Sequence, residues 1–343
     1  MEKKENKEKN NKGILTYALK GVRILGFFLI LGILLYMLQC MYYPKYNDQD
    51  NGMYDQNAHA FYAEPENTLD VVFMGNSEAY SAFSPLELWH EYGMTSFVCA
   101  KGASSMAEIE YNLTEFLKTQ KPKVVVLETD VVFAPYTTKK LFDKNFQDEV
   151  ETGIPIIRYH NRWKYTGPKQ WFSPIEYSWK SPSKGQMIIS VSEPYESEKL
   201  DLPDGAGEDY LNGRINPITK YYVNRIKSIC EENGISLILV SVPNTLTGSK
   251  KNYQALNKYA EQIKVPLLDL QKEEASVGLD WTKDTRDGGV HLNTRGARKV
   301  SLFVGERIKK NYDIPDRRGS DTLSDLWDMD YSDYKKVVGG YLK

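Results

Sequence analysis

The stretch "VVFMGNSEAY", Val71 to Tyr80, decides how the rest of the chain is read. Its apolar run ending in Gly75 has the length and β-branched content of a short buried strand. A serine, Ser77, follows two residues later. Small polar residues after strands are ordinarily turn formers, so Ser77 earns a chemical role only if partners arrive from elsewhere in the chain.

Outward from this strand the sequence alternates strand and helix. "SPLELWHEYG" reads as a helix with Ser84 as N-cap and Pro85 in its first position. "MTSFVCA" is a second strand. "SSMAEIEYNLTEFLKTQ" is a helix with apolar residues at Met106, Ile109, Leu113, Phe116 and Leu117. "PKVVVLETD" is a third strand, apolar enough to be buried on both faces. Regularity stops between residues 131 and 215, a segment dense in Trp, Tyr, Pro and Lys and too long for a plain loop; it reads as a lid-like insertion. The rhythm resumes with the helix "PITKYYVNRIKSICEENG", the strand "ISLILVSVP", the helix "YQALNKYAEQI", the strand "VPLLDLQ" and the helix "NTRGARKVSLFVGERIKKN". Such alternation predicts a three-layer, flavodoxin-like α/β domain over 68–312 with a parallel sheet. Ligands of such sheets bind at the C-terminal strand ends, where Ser77 lies. The acidic, aromatic segment 313–343 is read as a tail.

Ahead of the domain, "ILGFFLILGILLYML", Ile24 to Leu38, is wholly apolar, and the tolerant stretch extends to Tyr43. About 20 such residues cross a ~30 Å hydrocarbon layer. Residues 1–23 carry net charge +4, leaving about −6 on the remainder of a chain whose formal total is −2. The positive-inside rule then predicts a cytoplasmic tail (1–23), one transmembrane anchor (24–43), a polar stalk (44–67) and an extracellular domain. The acidic remainder argues against nucleic-acid binding. Three cysteines, Cys40, Cys99 and Cys230, make no disulfide framework and no zinc pattern, and no motif calls for a cofactor or metal.

A serine nucleophile needs a base, a carboxylate to orient that base, and donors for the oxyanion. Of the four histidines, His59 lies in the expected stalk, His90 in a short helix and His160 in the insertion. His291 differs: "DTRDGGVHLNTRGARKV" places it in a glycine-rich loop ahead of the last domain helix, after Asp284 and Asp287. Gly288 and Gly289 make a helix there improbable, and glycines at φ > 0 would let the chain curl Asp287 back toward His291. Asp287 is therefore favoured over Asp284.

"FMGNSEAYSAFSP" and "DGGVHLNTRGARKV" resemble the first and last sequence blocks of the SGNH (GDSL-like) hydrolase superfamily, more narrowly its membrane-anchored, DltD-like branch. The likeness covers about Thr68 to Lys310, including "YHNRW" in the insertion. It implies the SGNH-hydrolase fold, Ser77 as nucleophile, His291 as base, and the Glu78 amide and Gly102 as oxyanion donors. It also implies a membrane-bound O-acyltransferase as partner and cell-envelope glycopolymers or an acylated carrier as substrate. The chain departs from the pattern at Asn76, where aspartate is usual, and after the third strand, where Glu128, Thr129 and Asp130 replace an asparagine. The aromatic insertion, with His160 and Trp163, is the expected glycan platform. Two functions follow: an extracytoplasmic serine esterase or acyltransferase, or a weakly catalytic accessory protein that hands acyl groups to a membrane enzyme.

Overall fold

A computed structural model describes residues 2–133, 135–164, 166–194, 212–244, 249–319 and 322–342. Five strands, β1 (Val71–Gly75), β2 (Ser96–Ala100), β3 (Val124–Glu128), β4 (Ser236–Ser241) and β5 (Leu267–Asp269), form a parallel sheet in the order β2-β1-β3-β4-β5. Val71 stands opposite Ser96 on one side and Val124 on the other. The period-2 pleat splits each apolar run between two cores: Val72, Met74, Val125 and Leu127 enter one, and Val71, Phe73, Val124 and Val126 the other. Both faces must therefore be covered, which is why these strands are apolar throughout.

Beyond α1 (Glu2–Tyr42) the longer helices are α2 (Ser77–Ala82), α3 (Pro85–Tyr92), α4 (Met106–Phe116), α5 (Thr138–Gly153), α6 (Pro217–Glu232), α7 (Lys250–Ile263), α8 (Thr294–Asn311) and α9 (Thr322–Val338). Residues of α4, α6, α7 and α9 cover the first core, and residues of α2 and α8 the second. Pro85 opens α3 and Gly93, at φ 63°, ends it. The chain runs from β1 to β2 on one side of the sheet and then returns to β3 on the other. The C-terminal end of β1 is thus the topological switch point, where a crevice opens between diverging connections.

Three segments fold differently from their reading in the sequence. Residues 44–67, expected as a stalk, are packed onto the domain. Phe61 is fully buried between Phe97 and Phe116, and the Asn47 side chain is hydrogen-bonded in both directions to the Trp179 backbone. The segment read as a C-terminal tail is helical over α9. Trp327 is buried with its ring 5.4 Å from Trp89, and the Tyr334 hydroxyl lies 3.0 Å from Ser84 Oγ. The insertion does more than cover the domain. Lys184 O accepts from Val98 N–H at 2.9 Å, protecting the outer edge of β2. A Cβ at Gly185 would lie 2.0 Å from the Val98 carbonyl oxygen, so only glycine allows this approach.

N-terminally, α1 is a continuous helix whose Leu15–Tyr42 portion is long and apolar enough to cross a membrane.

Candidate active site

At the end of β1, Gly75 brings the chain against β3. A Cβ there would lie 2.8 Å from Ala79 Cβ and 3.1 Å from Glu128 Cβ. Asn76 caps the next helix, its Oδ1 accepting from Glu78 N–H at 2.9 Å. Its Nδ2 donates to Asp130 Oδ2 at 2.8 Å, and Asn244, beyond β4, donates to Asp130 Oδ1 at 3.1 Å. Asp130 therefore ties the ends of β1, β3 and β4 together. Ser77 occupies the first position of α2, half-buried and open to the crevice.

The partners come from the loop before α8. Asp284 is fully buried, ion-paired to Lys299 at 2.6 Å and Arg295 at 3.4 Å. Asn293 caps α8, accepting from Arg295 N–H and Gly296 N–H. Between these anchors Thr285 Oγ1 accepts from Gly289 N–H at 2.7 Å and donates to His291 O at 2.9 Å. Gly288 and Gly289, at φ 72° and 95°, turn the loop back on itself. Asp287 Oδ1 then accepts His291 N–H at 2.7 Å, and Oδ2 lies 2.6 Å from His291 Nδ1. His291 Nε2 lies 2.8 Å from Ser77 Oγ.

Burial pushes the Asp287 carboxyl upward, but hydrogen bonds from the His291 ring and amide, with the nearby His291 and Arg286 charges, outweigh it and leave the group below its ordinary value. An ionised Asp287 only accepts, so Nδ1 carries the hydrogen and Nε2 presents its lone pair to the Ser77 hydroxyl. The chain of contacts can move a proton from Ser77 to His291 while Asp287 steadies the resulting imidazolium.

Carboxylates crowd this centre. Glu78 is 1% exposed, with Oε1 3.7 Å from His291 Nε2, too long for a hydrogen bond. Burial, then repulsion from Asp130, Glu128 and Asp287, pushes its carboxyl well above the usual carboxylate range. Glu128 is raised in the same direction, chiefly by burial and then by Asp130, against hydrogen bonds from backbone amides. Neither the Glu78 carboxyl nor the Asp130–Asn244 contact was anticipated; "ETD" after the third strand was the available signal.

The remaining candidates are dispersed. The Glu78 amide is held by Asn76 Oδ1 and would have to leave it to serve an oxyanion. The Ser77 amide, at the first position of a helix, has no intrahelical acceptor by position. Gly102 lies in the loop after β2, where a Cβ would sit 3.4 Å from the Tyr80 hydroxyl. It lines a cavity of about 620 Å³ with Tyr80, Lys101, Met187 and residues of 49–58 and 159–164. That cavity does not include Ser77 or His291 in its walls. Its wall residue Tyr80 lies one turn along α2 from Ser77, and the Tyr80 ring is 5.9 Å from the Arg286 guanidinium, which lies beside Asp287. His160 is exposed, its Nδ1 2.7 Å from Ile157 O, and it is not brought to the Ser77 centre. The Trp163 side chain lies outside the described residues.

No protein-family model matches the sequence, and no curated protein matches it at a significant level. Solved structures similar to this chain include a lipase/acylhydrolase from Enterococcus faecalis, at 10% identity over 72% of this chain and 99% of that one, TM-score 0.37. A GDSL-like lipase from Bacteroides thetaiotaomicron is similar at 13% identity over 71% and 88%, TM-score 0.35. An acetyl xylan esterase from the rumen bacterium Butyrivibrio proteoclasticus is similar at 9% over 72% and 64%, TM-score 0.32. Likeness at this level carries neither substrate nor residue roles to this chain.

Proposed function

We propose that this chain is a membrane-anchored serine hydrolase or acyltransferase acting on ester-linked acyl groups. The observation that carries the reading is the contact chain Ser77 Oγ–His291 Nε2 at 2.8 Å and His291 Nδ1–Asp287 Oδ2 at 2.6 Å, assembled at the sheet's switch point. Ser77 Oγ attacks the acyl carbonyl as its proton passes to His291 Nε2. The tetrahedral oxyanion is met by the Ser77 amide, which has no intrahelical acceptor at the start of α2. Collapse expels the alcohol, which takes the proton from His291 and leaves an acyl-Ser77. Water or a second hydroxyl, deprotonated by His291, then releases the acyl group and restores Ser77.

The basic N-terminus and apolar α1 support an extracytoplasmic domain. The DltD-like resemblance of the two motif blocks supports cell-envelope glycopolymers or an acylated carrier as substrate, with a membrane-bound O-acyltransferase as partner. The test is labelling by a fluorophosphonate probe. The unchanged protein should label at Ser77, and Ser77→Ala and His291→Ala should each lose labelling and ester turnover, without additivity in the double variant because the two act as one unit. Undiminished labelling of Ser77→Ala would return Ser77 to a turn residue. An unchanged protein that binds acyl donors but never labels would favour the accessory role.

A further inference from the structure

Where α1 ends, the insertion wraps it. The single-turn helices Pro155–Arg158 and Pro168–Trp171 both pack against α1. The buried Arg162 donates from Nη1 to the carbonyls of Met41 and Tyr43 and from Nε to that of Asn51. The Met41 and Tyr43 carbonyls lie at the C-terminal end of α1, where a helix leaves its carbonyls unpaired at a cost wherever water is scarce. Glu176 N–H donates to Lys45 O at 2.7 Å and the Tyr177 hydroxyl to Pro44 O at 3.0 Å. The insertion is thus fastened to the exit of α1. Around that fastening four apolar side chains remain exposed: Ile154 (39%), Ile157 (42%), Phe172 (62%) and Ile175 (54%).

The length of α1 says what covers them. From Leu15 to Leu38 the helix is exposed apart from half-buried Gly21 and Gly26, and from Gln39 onward the domain begins to cover it. Between Arg23 and Gln39 the uncovered apolar helix is 15 residues, roughly 22 Å at 1.5 Å per residue. A hydrocarbon core is ~30 Å thick. With Arg23 at one interface, the last ~8 Å of that layer falls at the level where the insertion surrounds the helix.

We propose that this part of the insertion is an interfacial collar, resting in the boundary between headgroups and acyl chains on the C-terminal side of α1. Ile154, Ile157, Phe172 and Ile175 enter the apolar side of that boundary, and the exposed Lys169 meets lipid phosphates. The collar also lines the cavity that includes Tyr80: Tyr159, Asn161 and Arg162 form one wall and residues between Gln49 and Ala58 another. The same segment thus walls the cavity and, in this proposal, rests on the membrane. Resting on the serine-hydrolase reading, this assigns the substrate as a lipid-borne ester that reaches Ser77 along the bilayer rather than from bulk solution.

The full chain would be placed in nanodiscs of phosphatidylcholine and phosphatidylglycerol, with Cys40→Ser and with the buried Cys99 and Cys230 retained. Nitroxides at Phe172→Cys and Ile175→Cys should collide preferentially with oxygen. A nitroxide at Lys258→Cys, exposed on α7, should collide preferentially with a water-soluble nickel chelate. Equal nickel access at all three positions would overturn the collar. In a second arm, the triple variant Ile157→Ser, Phe172→Ser, Ile175→Ser should turn over a soluble acetyl ester as the unchanged protein does. Its turnover of a long-chain ester carried in the same bilayer should fall about tenfold, because α1 still anchors the chain but the collar no longer holds the cavity against the lipid. Equal rates on the bilayer ester would overturn the substrate assignment. If the unchanged protein turned over neither ester and escaped fluorophosphonate, the hydrolase reading would fail, and the nitroxide depths would still decide the collar.

Discussion

Asp284 and Asp287 stand three residues apart and hold different partners. Asp287 faces the imidazole and Asp284 is buried against Lys299. Asp287→Asn removes the charge that fixes the His291 tautomer, and turnover should fall by ~10⁴ while the protein stays folded with a modest drop in melting temperature. Asp284→Asn should instead weaken the fold by roughly 1–3 kcal/mol through lost buried hydrogen bonds. Reversed outcomes would exchange the roles. The two shifted carboxyls beside Ser77 also give opposite pH signatures. Asp287, held below its ordinary value, contributes stability above its unfolded pKa that is lost as pH falls through the folded one. Glu78, held well above, contributes stability below an unfolded pKa of ~4.3 that is lost as pH rises toward its folded value. Glu78→Gln should therefore match the unchanged protein at the acid end and exceed it in melting temperature increasingly from pH ~4.3 upward. Parallel curves would show that Glu78 is solvated like an ordinary carboxylate.

At the scale of elements, one buried lysine joins three of them. Lys184, in the insertion, contacts Glu64 at 2.8 Å and Asp330 of α9 at 2.6 Å, with its ammonium 4.6 Å from the Trp327 ring centre. Glu64 belongs to the segment leading from α1 into the domain, so this ion pair pins entry segment, insertion and C-terminal helix at one point. Lys184→Met leaves buried Glu64 without its cation and should destabilise by about 3–5 kcal/mol. Chemical denaturation would measure it, and a loss under 1 kcal/mol would mark the pair as dispensable. Leu323, Trp327, Tyr331, Tyr334 and Val338 lie at helical spacing in the sequence and all pack on the first core. Their acidic neighbours mask the stripe until α3 supplies the surface that receives it.

At the scale of the whole molecule, charge and hydropathy predict an orientation. A basic N-terminus, an apolar helix and an acidic remainder predict that protease added outside intact, wall-stripped cells removes nearly everything beyond Tyr43. A protected C-terminal epitope would place the domain in the cytoplasm and end the cell-envelope substrate. The collar adds a constraint on tilt, since Arg162 fixes the domain to the end of α1.

The amino-acid sequence by itself determined the α/β alternation, the long apolar N-terminal helix and the pair Ser77 and His291. These rest on local periods, on a run long enough to cross a bilayer, and on two short motifs. It also determined the preference for Asp287, because two adjacent glycines signal a backbone that curls. Only the tertiary structure decided that residues 44–67 are packed and not a free stalk, that residues 322–338 form a helix of the domain, and that Asn76 occupies the Glu78 amide. It alone brought Glu78, Asp130 and Asn244 around Ser77 and set Arg162 on the carbonyls of α1. The reason is physical. Periodicity records which face of a segment avoids water, whereas the Asn76–Asp130, Asn244–Asp130 and Arg162–Met41 contacts join residues 54, 114 and 121 positions apart, and their energies depend on a burial and a partner that no local pattern contains.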